Sequence, residues 1–340
     1  MSASGASTPK PVLTVVVPTR DRPDRLAETL RAIASQRLTG RSLVESIEVV
    51  VVDDGSSDPA VVPRVVEQTL SGSTHGGGQE HAASLRGRVI RLQPRASADG
   101  RGQGQGPAAA RNRGVAAARA ARVLFLGDDT RPAAGALDAH LEAAVRAERH
   151  LGRPVGVQGR IRWDPEHEIS DVMRFLAPAG PQFYFVGRHH GERVPFSSVL
   201  GSNVSFPTGW LRQEPFDESL RHAAMEDTEV AWRQHRRGWT TVWSETAVAW
   251  HHHPYPTLEP FLERQRRAGG SAVSVLRRHP RLFAPLLAQP TAFGAVVWLR
   301  RLLGRGKPTD DWDLACRAAF AQGAAAHVRD LLSARRNGAR

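Results

Sequence analysis

Three short apolar runs, each ending in a polar turn, constrain this chain more than any other feature. Leu13-Thr14-Val15-Val16-Val17 leads into Pro18-Thr19-Arg20-Asp21, and Ile47-Glu48-Val49-Val50-Val51-Val52 leads into Asp53-Asp54-Gly55-Ser56-Ser57-Asp58. The third run, Val123-Leu124-Phe125-Leu126, ends on Gly127-Asp128-Asp129. Runs this short, bulky and nearly continuous read as buried strands of a parallel sheet. Between the first two, Leu26, Leu30 and Ile33 recur at i, i+4, i+7 behind the acidic, proline-marked start Asp21-Arg22-Pro23-Asp24, which predicts a helix. Strand, helix, strand is a βαβ unit with parallel neighbours and a right-handed crossover. All three turns therefore reach one edge of one sheet, where open α/β sheets collect ligands.

The acids at that edge carry the chemistry. Adjacent carboxylates such as Asp128 and Asp129 repel one another and are costly to desolvate, so a shared cation is expected. Oxygen ligands of this kind suit a hard divalent ion, Mg²⁺ or Mn²⁺, that also bridges phosphate oxygens. The bland alternative is a turn with two solvated acids. Further along, Glu226-Asp227 precedes a helix predicted from about Thr228 to Arg237, where a simple N-cap is the alternative. His251-His252-His253 ends the last predicted strand. Alternation places His251 and His253 on one face, where either could join a metal, and His252 on the other; a solvated turn is the alternative.

The remaining pattern sets the boundaries. Residues 1–10 read as a disordered leader. Flexible insertions are expected near 71–86 and 94–107, both Gly-rich and protruding. Helices are expected at Val61 to Leu70, Ala108 to Ala121 and from Ala136 onward. Shorter strands are expected at Arg88 to Leu92, Val155 to Gly159, Leu200 to Phe206, Thr240 to Trp243 and Ala247 to Trp250. From Thr257 the pattern is helical, so residues 256–340 form a helical C-terminal region.

The net charge is +12, and all but two of the 46 basic residues are arginines. A GC-rich genome produces the same bias, and there is no compact basic arm, so no specific nucleic-acid partner is expected. The single cysteine, Cys316, excludes an internal disulfide and a cysteine-based zinc site. Met1 to Gly5 lacks the basic and apolar parts of a secretory signal, which leads to the expectation of a cytoplasmic protein. No stretch approaches the ~20 apolar residues of a spanning helix. Ala292 to Leu303, ending in Arg300-Arg301, is either a packed helix or a peripheral contact at the inner membrane face.

Taken in order, Val-Val-Val-Pro-Thr-Arg at 15–20, Val-Val-Asp-Asp-Gly-Ser-Ser-Asp at 51–58, Ala-Arg-Asn-Arg-Gly at 110–114, Phe-Leu-Gly-Asp-Asp-Thr-Arg-Pro at 125–132 and Met-Glu-Asp-Thr-Glu at 225–229 resemble a family-2 glycosyltransferase. The resemblance implies a GT-A type, Rossmann-like mixed sheet with flanking helices over 11–255. It also implies inverting transfer of a sugar from a nucleotide-diphosphate sugar to an acceptor hydroxyl, with a Mn or Mg divalent cation. Pro18, Thr19, Arg20, Asp53, Asp54, Arg111, Asn112 and Asp128 would then bind the nucleotide-sugar. Asp129, with His251 or His253, would hold the metal, and Asp227, beside Glu226, would be the general base. Gly127 replaces the first acid of the family's Asp-X-Asp motif, so Asp129 carries the metal assignment.

Gln265 is followed by Arg266-Arg267-Ala268 rather than by the Gln-X-X-Arg-Trp motif of processive synthases. Single addition is therefore expected. The acceptor stays open between a glycan, a lipid-linked compound and a small molecule. Trp163, Phe183 and Tyr184 are candidates to stack on it. A sugar-phosphate nucleotidyltransferase and a non-catalytic basic binding protein on the same fold remain as alternatives.

Overall fold

A computed structural model describes residues 10–39, 47–70, 85, 87–96, 102–222 and 224–337. Residues 1–9 of the leader expected at 1–10, and residues 71–84 and 86 of the first insertion, lie outside the described residues.

The first βαβ unit is present as expected: β1 (Leu13–Thr19), α1 (Pro23–Ala34) and β2 (Ile47–Asp53). Leu26, Leu30 and Ile33 are fully buried, so the i, i+4, i+7 stripe is the face that docks on the sheet. There follow α2 (Val61–Leu70), β3 (Gly87–Arg91), α3 (Pro107–Ala117), β4 (Arg122–Leu126), β5 (Thr130–Pro132) and α4 (Ala136–Leu151). The second half holds β6 (Gly156–Trp163), α5 (Asp171–Leu176), β7 (Asn203–Pro207), α6 (Thr208–Gln213), α7 (Glu226–Arg236) and β8 (Thr241–His251). The C-terminal region supplies α8 (Glu259–Arg278), α9 (Gln289–Leu302) and α10 (Asp310–Asn337).

The eight strands form one mixed sheet in the order β3-β2-β1-β4-β7-β6-β8-β5. The β3-β2-β1-β4 half is parallel, and β7 runs antiparallel to both β4 and β6. Alternate residues of β1 serve opposite cores: Val16 packs on one face with Phe125, Phe206 and Trp243, and Val15 and Val17 pack on the other with α1.

Three local readings need correction. The strands expected at Thr240 to Trp243 and Ala247 to Trp250 are one strand, β8. It pairs along all of β6, with a register break where Gly159 faces Ser244 and Arg160 faces Val248. Asn203 Nδ2 donates to the Ala247 carbonyl at that break (2.9 Å), which satisfies the backbone the break frees. The second insertion does not simply protrude. At its far end Gln105 and Gly106 donate their N–H groups to Asp54, at 2.7 and 2.9 Å, and fold the loop onto the sheet edge. A Cβ on Gly104 would overlap the Asp54 carboxylate, so the close approach needs glycine there. Finally, α7 begins at Glu226 rather than Thr228, with Met225 at φ 71° as its cap residue.

The C-terminal helices join the main body. Phe261 of α8 and Cys316 of α10 are buried in the core that holds Phe125 and Trp243. α8 and α10 cross at glycines: a Cβ on Gly269 would overlap the Phe320 carbonyl, and one on Gly323 that of Arg266. Between these helices, Pro280–Leu302 is a helical run of 23 residues, long and apolar enough by length and composition to cross a membrane. No stretch of that length is expected from the sequence, because prolines interrupt it. A 3-10 turn at Pro280–Leu282 and a π turn at Ala284–Ala288 carry the helix past them.

His140 of α4 is fully buried between Asn203 Oδ1 (3.0 Å) and Ser205 Oγ (3.2 Å). Burial pushes its imidazole down to about 4, partly offset by the Asn203 hydrogen bond. Its folded pKa lies below the unfolded value of about 6.5, so the unfolded chain binds more protons between those two values. Stability from this group is complete above pH ~6.5 and falls by about 3 kcal/mol as pH drops to ~4. Equilibrium unfolding across that range should show a shallower acid loss for His140→Phe than for the natural chain.

Candidate functional site

The carboxyl ends of β1, β2 and β4 lie side by side, with Thr19 opposite Asp53 and Val16 opposite Phe125. β7 places Asn203 opposite Leu126, so Gly201 lies just past the end of β4.

Asp128 and Asp129 occupy that end. The Asp128 carboxylate accepts from Thr19 Oγ1 at 2.9 Å, and its backbone carbonyl accepts from Thr29 Oγ1 at 2.9 Å. Burial and the neighbouring Asp129 charge push Asp128 up to about 6, against the pull of Arg22 and Thr19. Asp129 goes the other way. Burial alone would raise it, but His251, His253 and Arg22 around it hold it well below the usual carboxylate range. One nitrogen of Arg22 bridges the pair, 3.3 Å from Asp128 Oδ1 and 3.2 Å from Asp129 Oδ2.

The short strand β5, not anticipated from sequence, explains the histidines. Its Thr130 pairs with His251, which sets the end of β8 beside Asp129. His251 Nε2 lies 3.8 Å from Asp129 Oδ1, and His253 Nδ1 lies 3.6 Å from Asp129 Oδ2. His252 points elsewhere, with Nδ1 2.9 Å from Glu28 Oε2. Burial pushes His251 down to about 4 despite Asp129, so its ring is neutral and can ligate at neutral pH. Its Nδ1 is buried with no hydrogen-bond partner among the described residues. A carboxylate and two imidazoles are a donor set that fits a divalent ion.

The Asp53-Asp54 pair is built into the protein. Asp53 is fully buried; it accepts from the Ser56 N–H (2.8 Å) and is ion-paired with Arg91 of β3. Asp54 is less buried and takes the two loop N–H groups described above. Its carboxyl is raised by burial, with those N–H groups and Arg20 opposing. Arg20 itself donates to the Gly102 carbonyl (3.0 Å), and Pro18 pairs with Val52 in the strand register.

Two expected ligand-binding residues have other duties. Arg111 is buried and reaches Glu226 Oε1 (2.8 Å) and the Gly201 carbonyl (3.3 Å), with its guanidinium over Phe125 and Phe216. Its fork is directed at Glu226, in the first turn of α7, and the arginine on the acid pair is Arg22 instead. The only sequence signal for Arg22 is its place in the turn directly after β1. Asn112 uses both ends of its amide on the Phe216 backbone and Glu218, all at 2.9 Å. It ties down a loop and has no donor left for a ligand.

Glu226 is buried, and burial together with Asp227 raises its carboxyl above the usual range. Asp227, in the same first turn of α7, is less enclosed. Its Oδ2 accepts from the Gly201 N–H at 3.1 Å, which places it beside the end of β4. Of the aromatic candidates, Trp163 and Phe183 are buried and wall the His251 ring, with centroids 5.5 and 5.3 Å away. Tyr184 is 58% exposed and is the one of the three with a free face.

Comparison with known proteins agrees with this geometry. Residues 126–324 match the family described as glycosyl transferase family group 2, and residues 14–66 match glycosyl transferase family 2. The pre-mycofactocin glycosyltransferases of two Mycobacterium tuberculosis strains are 27% identical over 301 residues, 86% of this chain. The chain spans about half the length of these curated relatives (53%). A mannosyltransferase from Pyrobaculum calidifontis, PcManGT, solved with GDP-Man and Mn²⁺, superposes with a TM-score of 0.59 at 20% identity. The superposition covers 95% of this chain and 88% of that one. With its GT-A type sheet, its acids at the carboxyl edge and a family match over more than half its length, the chain belongs to glycosyl transferase family 2.

Proposed function

We propose that this protein moves one sugar per encounter from a nucleotide-diphosphate sugar to an acceptor hydroxyl, inverting the anomeric configuration. The observation that carries this reading is the convergence of two acid centres at the end of β4. Asp128-Asp129 sits there with Arg22, and Asp227 is anchored to Gly201 alongside. Asp227 takes the proton from the acceptor hydroxyl as that oxygen attacks the anomeric carbon. A new C–O bond forms, the bond to the diphosphate oxygen breaks, and attack opposite the leaving group inverts the centre. Arg22 is the cation placed to offset charge on the departing nucleoside diphosphate. Asp129, His251 and His253 are the residues that would hold a divalent ion, which supplies further positive charge to the diphosphate. Asp54, less buried than Asp53, is the acid of that pair assigned to the nucleoside.

GDP-Man with Mn²⁺, found with the mannosyltransferase, is the first donor to test, followed by other nucleotide sugars. The expected result is release of nucleoside diphosphate with one of them. Pyrophosphate release from a nucleoside triphosphate and a sugar phosphate would instead establish the nucleotidyltransferase reading.

The acceptor side is proposed to work at an anionic membrane surface. Leu282 to Leu299 contains no charged residue, and Phe293, Val296, Trp298, Leu299 and Leu302 are all more than half exposed. Leu282, Leu286 and Val297 of the same run are buried in the protein, which suits a helix lying in the interface rather than crossing it. Arg281, Arg305 and Lys307 flank it at head-group level. The intact protein should float with phosphatidylglycerol vesicles, less with phosphatidylcholine, and Phe293→Glu/Trp298→Glu should remain unbound.

A further inference from the structure

A second group of metal-ligating side chains lies beside the site but belongs to none of the chemistry above. Glu28 of α1, His167 in the turn after β6 and His252 after β8 bring one ligand atom each within 4.8 Å of one another. They come from three distant parts of the chain, so only the tertiary fold assembles them. Glu28 Oε2 lies 2.9 Å from His252 Nδ1, and the His167 and His252 rings stack with centroids 3.7 Å apart. The His252 backbone is itself fixed, since its N–H donates to the Asp129 carbonyl at 2.8 Å. Alternation along the strand end turns His252 away from His251 and His253, so the two groups of ligands face different ways.

We propose that Glu28, His167 and His252 form a separate site for a late first-row divalent ion such as Zn²⁺. Two imidazoles and one carboxylate suit a late first-row ion; the same donor types at Asp129, His251 and His253 differ in lying beside Asp128 and Arg22. Three protein ligands leave a fourth position for water. The stacked rings must separate for both nitrogens to address one ion. His167 is free to do this: its side chain is 40% exposed and sits on a turn, with Asp164 at 3.9 Å as its nearest charged partner. An ion there clips α1 to the end of β8. The first residues of α1 follow Arg22, and Arg25 reaches His253 Nδ1 at 3.0 Å. The clip therefore braces both the arginine and the histidine sides of the acid pair. The proposal rests on these ligands and is independent of the donor and acceptor assigned above.

The test uses the full chain, stripped with chelator and titrated with Co²⁺, whose visible bands report imidazole ligation, and then with Zn²⁺ by calorimetry. The natural chain should bind Co²⁺ at two sites. His167→Ala should lose one of them, with Zn²⁺ affinity at that site reduced at least ~10-fold, while its Mn²⁺ binding and circular dichroism stay unchanged. Glu28→Gln should lose the same site, and Asp129→Ala should retain it. Unaltered Co²⁺ bands and stoichiometry in both His167→Ala and Glu28→Gln would overturn the proposal. So would a single Co²⁺ equivalent in the natural chain that Asp129→Ala removes.

Discussion

Asp227→Asn is expected to lower kcat by about 10²–10⁴ while leaving donor KM within a few-fold of the natural enzyme. That corresponds to roughly 3–5 kcal/mol of transition-state stabilisation. The amide keeps an oxygen that can accept from the Gly201 N–H, so the geometry at the end of β4 persists while the proton acceptor is lost. The neighbouring acid provides the contrast. Glu226 is buried against Arg111, and Glu226→Gln removes the charge that Arg111 was folded to meet. Breaking a buried pair by one partner costs on the order of 3–5 kcal/mol, so Glu226→Gln should melt earlier. Asp227→Asn should melt with the natural chain. A kcat for Asp227→Asn within three-fold of the natural value would remove Asp227 from the role of base.

Asp129→Ala should abolish the stabilisation that donor and Mn²⁺ together confer. For the natural chain this amounts to about 2.7 kcal/mol at a ligand concentration 100 times Kd. The variant should show no cation-dependent rise in Tm at any tested concentration, and retention of the full rise would place the ion elsewhere. The pH dependence follows from the same pair. Asp128, raised to about 6 by burial and by Asp129, binds a proton in the folded chain that the unfolded chain releases at about 3.9. In the metal-free protein, stability from this group is therefore present below pH ~4 and is lost as pH rises through ~6, opposite in sign to His140. Asp128 is not among the residues that would hold the ion, but its negative charge beside Asp129 favours a bound cation, so Mn²⁺ affinity should weaken as Asp128 takes up its proton below pH ~6. In Asp129→Ala the neighbouring charge is gone, and the pH dependence of metal-free stability should move to lower pH.

Much of this site was readable from local pattern. β1, β2 and β4 each announce themselves by continuous apolar runs, and the turns after them supply the acids. Topology then brings those turns together, because a βαβ unit can place them only on one edge. The alternation at the end of β8 likewise separated His251 and His253 from His252.

What only the tertiary structure decided is which charge meets which. Arg111 and Arg22 are both arginines in turns or helices near the same edge, and nothing in their neighbours separates them. The fold sends Arg111 of α3 to Glu226 in the first turn of α7, and Arg22, just before α1, to the acid pair. Asp53 was expected to serve a ligand and instead meets Arg91, thirty-eight residues away on β3. β5 is three residues long, too short to show a period, yet its pairing puts His251 next to Asp129. Strand and helix arise from interactions between residues a few positions apart, and these leave a periodic trace in the sequence. Ion pairs and ligand sets depend on side chains that approach only after the sheet has closed, and no local period records them.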